Sequence, residues 1–129
     1  MRRVSEVAVA GSFKDLVAWQ KGMELAREIY RATAKFPKSE LFGLTSQMRR
    51  AAVSVPSSIA EGQARFSNQE FKHYLRNVKG SLSELETQTL LAYDLGMLDI
   101  VDKSNLIALI LTEQRIVSGL LASLERKTK

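Results

Sequence analysis

The chain has 129 residues, 45% apolar and 26% charged, which suits one domain with its own core and no need of disulfides or metal. It contains no cysteine and a single histidine, His73, which excludes disulfide frameworks, thiolate metal sites and multi-histidine clusters. The net charge of +5 points weakly toward an anionic partner, and no motif asks for a cofactor.

Residues 1–12 read as a loose leader ahead of a helical domain over 13–129. Two arginines open the leader, but Glu6 interrupts its short VAVA run, so it lacks the apolar core of a signal peptide. No uninterrupted apolar run approaches the ~18 residues that cross a bilayer. A cytoplasmic location fits a chain without cysteine.

From there apolar residues recur at three- and four-residue spacing, and no segment alternates at period two for long. A first helix is predicted over about 15–36, with Leu16, Trp19, Met23, Ala26, Tyr30 and Ala34 as its inward stripe. Pro37 ends it. A second is predicted over about 39–65, with Leu41, Leu44, Met48, Ala52, Val55 and Ile59 inward. A third begins at the capping box Ser67-Asn-Gln-Glu70 and turns Phe71, Leu75, Val78, Leu82, Leu85 and Ala92 inward. Gly96 stops it in left-handed geometry. The fourth is capped by Asp99 or Asp102, runs to about Lys127, and buries Leu106, Ile110, Val117, Leu120, Leu121 and Leu124. Helices this long, joined by short turns, must lie antiparallel to their neighbours. The predicted fold is all-α, an up-down-up-down four-helix bundle.

Folding the second and third helices about residues 66 and 67 places Gly80 opposite Val53 and Glu84 opposite Arg49, within a turn of Arg50. Folding the first two about Pro37 places Trp19 beside Pro56. Pro56 deletes one backbone N–H and crowds the Ala52 carbonyl, so the second helix is expected to kink there rather than end. Ser54, Ser57 and Ser58 can serve the freed backbone groups, and Gly62 permits a close approach. Arg50, Ser54, Ser57, Glu61 and Arg65 form a polar stripe. With Arg49 and Glu84 it makes either a structural polar network or a ligand surface.

The runs SQMRRAAVSVPSSIAEGQAR, GSLSELETQTLLAYDLGML and FKDLVAWQKGMELAREIY resemble the bacterial four-helix-bundle family of 23S rRNA intervening-sequence proteins. The resemblance covers about residues 13–125. Ser58 stands where family members usually carry asparagine. The resemblance implies an antiparallel bundle, a ring-like homopentamer and no enzymatic activity. It also implies a distant relation to the accessory protein of diversity-generating retroelements, a basic ring that partners a reverse transcriptase. A nucleic-acid role was inferred for the founding members from their place within rRNA genes.

The residues themselves support two readings. From Arg27 to Lys79, ten Lys/Arg face four glutamates, whereas from Gly80 to Glu125 seven acids face Lys103 and Arg115. Arg27, Arg31 and Lys35 form one basic stripe, and Lys72, Arg76 and Lys79 a second. Such stripes can neutralise RNA or DNA phosphates without sequence preference; they can equally be solvated helix faces. Phe42, Val17, Ile29, Leu91, Tyr93 and Ile116 fall off the predicted core stripes. Exposed apolar residues of this kind mark an interface, and opposite charge in the two halves suits head-to-tail assembly into a ring. An enzyme is not indicated. Glu84 and Glu86 face different sides of a helix, Glu70–His73 has no second copy, and His73 is alone among triad candidates.

Overall fold

The computed structural model describes residues 12–127 and contains no strand among them. The four helices are α1 (Val17–Thr33), α2 (Leu44–Ala64), α3 (Asn68–Asp94) and α4 (Ile100–Lys127). Single 3-10 turns at Phe13–Asp15 and Lys38–Glu40 precede α1 and α2. The expected leader lies outside the described residues, except that Ser12 caps the first turn by accepting the Lys14 N–H at 3.1 Å.

The ends follow backbone chemistry. Thr33 closes α1 by donating its hydroxyl to the Ile29 carbonyl at 2.7 Å, ahead of Pro37. Glu40 accepts the Leu44 N–H at 3.1 Å, so α2 begins five residues later than expected and leaves Leu41 and Phe42 in an exposed turn. Ser67 accepts the Glu70 N–H at 3.3 Å, whereas the Glu70 carboxylate lies 3.9 Å from Arg65, so only half of the capping box forms. Gly96 sits at φ +80° and completes a Schellman cap with Gly96 N–H to Tyr93 and Met97 N–H to Ala92. Asp99, not Asp102, caps α4 by accepting the Asp102 N–H at 2.8 Å.

Each helix packs on two others, α1 on α2 and α4, and α3 on α2 and α4, which makes a square bundle. Side-chain partners run in opposite directions across each pair. Ser54 meets Ser81 while Glu61 meets Tyr74. Gln114 meets Glu86 while Arg76 meets Glu125. Gly22 lies against Val55 and Glu113, whereas Arg31, further along α1, meets Asp102.

The core of α2, α3 and α4 is the expected one apart from Leu41, which is exposed. On α1 the face is different. Ala18, Gly22, Leu25, Ile29 and Ala32 are buried with Leu16, while Trp19, Met23 and Ala26 are half-buried and Tyr30 and Ala34 exposed. This helix carries two apolar stripes, and the one with small residues lets α1 come closest to its neighbours. Ile29 is therefore core, not surface; Ile116 is half-buried; Phe42, Val17, Leu91 and Tyr93 are exposed.

Helical structure continues through Pro56 without a break. Ser54 donates to the Ala51 carbonyl at 2.6 Å, one residue from the carbonyl that Pro56 leaves without its helical donor. Among the described residues, α4 alone reaches the length and mean hydropathy, 1.4, of a membrane span. Its Leu106, Ile110, Val117, Leu120 and Leu124 turn into the bundle, as core residues of a long helix do.

Candidate functional site

The two basic stripes are largely occupied. Lys35 and Arg31 both bind Asp102, at 2.6 and 3.2 Å, and Arg31 also binds Glu28 at 2.8 Å. The Lys35 ammonium, then the Arg31 guanidinium, holds the Asp102 carboxyl below its ordinary range against the opposing effect of burial. The Arg31 guanidinium is pushed up by Glu28 and then by Asp102. These contacts staple α1 to α4. Arg76 reaches Glu125 at 3.5 Å, and Lys72 is buried at the start of α3. Arg27 and Lys79 are exposed and form no ion pair among the described residues. Of the six cations in the two stripes, Arg31, Lys35 and Arg76 are therefore ion-paired and Lys72 is buried, while Arg27 and Lys79 lie exposed.

The expected polar network divides into three separate groups. Arg49 turns back to α1, donating to Thr33 Oγ1 at 2.9 Å and the Tyr30 carbonyl at 3.4 Å, with its guanidinium 4.5 Å from the Tyr30 ring centre. Ser54 bonds Ser81 at 2.7 Å. Glu61, Arg65 and Tyr74 form a surface triad, Arg65 to Glu61 at 2.9 Å and to Tyr74 at 2.8 Å. Arg65 first and Tyr74 second hold the Glu61 carboxyl down, and Glu61 in turn raises the Arg65 guanidinium.

Glu84 is exposed and pairs with neither Arg49 nor Arg50, which is itself exposed. The α2–α3 register, set by Ser54–Ser81 and Glu61–Tyr74, is two residues later than the turn suggests, and two residues are more than half a helical turn. Gly80, like Glu84, lies off the Val78–Leu82–Leu85 stripe and faces open space. The close α2–α3 approach is at Gly62, where a Cβ would come within 2.7 Å of Tyr74 Cβ.

The most distinctive surface is a groove along α1 and α2. Its lower half is lined by Trp19, Met23, Ala26, Tyr30, Val53, Pro56, Ser57 and Ala60, with Arg27 beside them. Trp19 and Pro56 share this groove, as expected, and Trp19 is braced edge-on by Phe13 at 5.3 Å. The upper half shares Tyr30, Val53 and Ser57 and adds Leu41, Phe42, Thr45, Arg49 and Arg50. Phe42 is 93% exposed. Among the described residues no carboxylate lines either half, so the groove has an apolar floor and a cationic rim.

Sequence reasoning missed Glu113, which is fully buried and has neither carboxylate oxygen hydrogen-bonded. Burial raises its carboxyl to about 8, opposed only by Lys21. The signal was present, since 106, 110, 113, 117, 120 and 124 form one uninterrupted core stripe. The described residues contain no group of three or more histidines, cysteines or acids able to hold a metal.

This chain, with Pro56 inside α2 and Ser54, Ser57 and Ser58 around it, matches the family model described as 23S rRNA-intervening sequence protein over residues 14–119. The chain belongs to that family. The match takes in α1, α2, α3 and most of α4. Comparison with curated proteins gave no match. The family description names a genetic location and no reaction, so function has to be argued from the surfaces above.

Proposed function

We propose that this intervening-sequence family protein is a non-enzymatic scaffold that assembles with copies of itself into a closed ring. The observation that carries this is the α1–α2 groove. Trp19, Met23, Tyr30, Val53, Leu41 and Phe42 line a continuous apolar groove outside the buried core, with Trp19 packed in part against that core. Surfaces of that kind mark interfaces. A pentamer is the assembly that the family resemblance favours. Light scattering coupled to size exclusion tests the reading, which requires a discrete mass of several chains at micromolar protein; a monomer overturns it.

Weak, non-specific binding of RNA or DNA is the second reading. The net charge of +5 favours it, as do Arg27, Arg50 and Lys79, which are exposed and form no ion pair among the described residues; a ring repeats each of them in every copy. Arg31, Lys35 and Arg76 are held by carboxylates and contribute little. A salt titration of a gel-shift assay decides this reading, because affinity resting on phosphate neutralisation falls steeply with salt. A wild-type protein that shifts neither RNA nor DNA at low salt leaves the scaffold alone, with a protein as its partner.

A further inference from the structure

The bundle carries a second exposed apolar surface, at the corner where α3 turns into α4. Leu90, Leu91, Leu95, Ile100 and Val101 are all substantially exposed within twelve residues. Asp94 and Asp99 lie exposed among them, and neither is paired with a cation among the described residues. Lys103 lies over the Tyr93 ring at 5.1 Å. This corner is an apolar knob with acidic flanks, the counterpart of an apolar groove with a cationic rim.

Their places in the fold match as well. In the square bundle the α1–α2 edge is opposite the α3–α4 edge, since α1 packs on α2 and α4, and α3 on α2 and α4. Asp102, near the start of α4, binds Arg31 and Lys35 at the end of α1, so the corner and the Phe42 turn are at the same end of the molecule. Two copies side by side, pointing the same way, bring the corner of one level with the upper groove of the next.

We propose that the α3–α4 corner of one copy seats in the upper α1–α2 groove of its neighbour, between Phe42 and Val53. The proposal rests on the self-assembly reading and specifies its geometry. Joining two different surfaces on opposite sides of the bundle makes a heterologous contact, which repeats from copy to copy and closes into a ring when the rotation allows. The competing arrangement, groove against groove, brings the arginine rims of both copies together and is opposed by like charge.

The test uses two single variants of the full chain. Val53→Glu puts a carboxylate on the groove floor facing an acidic corner, and Leu91→Lys puts an ammonium on the corner facing a cationic rim. Val53 is 43% exposed and Leu91 46%, so each substitution leaves the bundle core intact. Circular dichroism checks that helix content is retained; Phe42→Glu and Ile100→Lys form a second pair if either variant fails to fold. Each variant alone should run as a single chain by light scattering. An equimolar mixture should associate into a dimer or larger, because it restores one sound groove opposite one sound corner and the new ammonium and carboxylate attract at the other junction. If Leu91→Lys keeps the wild-type mass, or the mixture stays monomeric, the corner does not fill the groove and the proposal is overturned while self-assembly stands. A monomeric wild type overturns both.

Discussion

Gly22 makes room for the carboxylate of Glu113: a Cβ at position 22 would lie 3.0 Å from Glu113 Oε2 and 3.1 Å from Val55 Cγ1. The acid therefore occupies the middle of the bundle beside the one α1 position without a side chain. Both of its oxygens lack hydrogen-bond partners, and the cost of ionising it there is what raises it to about 8.

Stability should consequently fall as pH rises. The unfolded chain releases the Glu113 proton near its ordinary 4.5 and the folded chain keeps it to about 8. Between those values the folded state binds more protons, so its stability declines across that window and is flat on either side with respect to this group. Glu113→Gln removes the charge and keeps the shape. It should be close to neutral at pH 4.5 and stabilising by roughly 3–5 kcal/mol at pH 8, at about 1.4 kcal/mol per unit. Urea midpoints at fixed protein concentration measure this; equal pH dependence in variant and wild type refutes it.

The glycines should separate by what surrounds them. Gly22→Ala and Gly62→Ala push a methyl into packed neighbours and should cost about 1–3 kcal/mol each. Gly80→Ala meets nothing within 4 Å and lies inside α3, so it should add about 0.5–1 kcal/mol through helix propensity. Thermal melts of the three variants give the comparison, and a destabilised Gly80→Ala would contradict the open surroundings of Gly80 on the outer face of α3.

Asp102 should behave oppositely to Glu113 with pH. Its folded carboxyl is held below the ordinary 3.8, so its contribution is present above that value and lost as pH falls through the folded one. Asp102→Asn loosens α1 from α4. Because the Arg31 and Lys35 side chains are about half exposed, solvent screening should hold the cost to about 1–2 kcal/mol at pH 7. Hydrogen exchange at the end of α1 should rise in the variant, and unchanged protection there would show that the staple is idle.

Reversing Arg31 and Lys35 is a poor test of nucleic-acid binding, because it also breaks that staple. Arg27→Glu with Lys79→Glu is the cleaner variant. It should reduce a low-salt gel shift at least tenfold without moving the melting temperature by more than a degree or two. A full-strength shift in this variant places the phosphate contacts elsewhere.

Pro56→Ala separates fold from assembly. Pro56 lies inside α2 and lines the groove. Alanine restores a helical N–H and the better propensity, so the isolated bundle should melt no lower than wild type. Proline is expected to bend α2, and straightening it reshapes the groove, so the proposed self-assembly should weaken. Unchanged mass at limiting protein concentration would show that the groove does not depend on the proline.

Much of this molecule is determined by sequence alone. The spacing of Leu75, Val78, Leu82 and Leu85, the Ser67 cap and the Gly96 stop establish long helices, because periodicity and capping are local. The family signature around Val53–Arg65 is equally local. What needed tertiary structure was every choice between alternatives of similar local merit. Helix α1 has two apolar stripes, and only its neighbours decide that Ala18, Gly22 and Ile29 go inward while Trp19, Met23 and Tyr30 line an outer groove. The α2–α3 register needed it too: it sets Ser54 against Ser81 and Glu61 against Tyr74, whereas Glu84, off the Leu82–Leu85 stripe, stays on the exposed face of α3. The basic stripes looked continuous along the chain, yet Asp102, 67 residues beyond Lys35, takes two of their cations. Periodicity identifies what a residue's own helix presents; which face is covered, and which charge is answered, depends on side chains brought near only when the bundle closes.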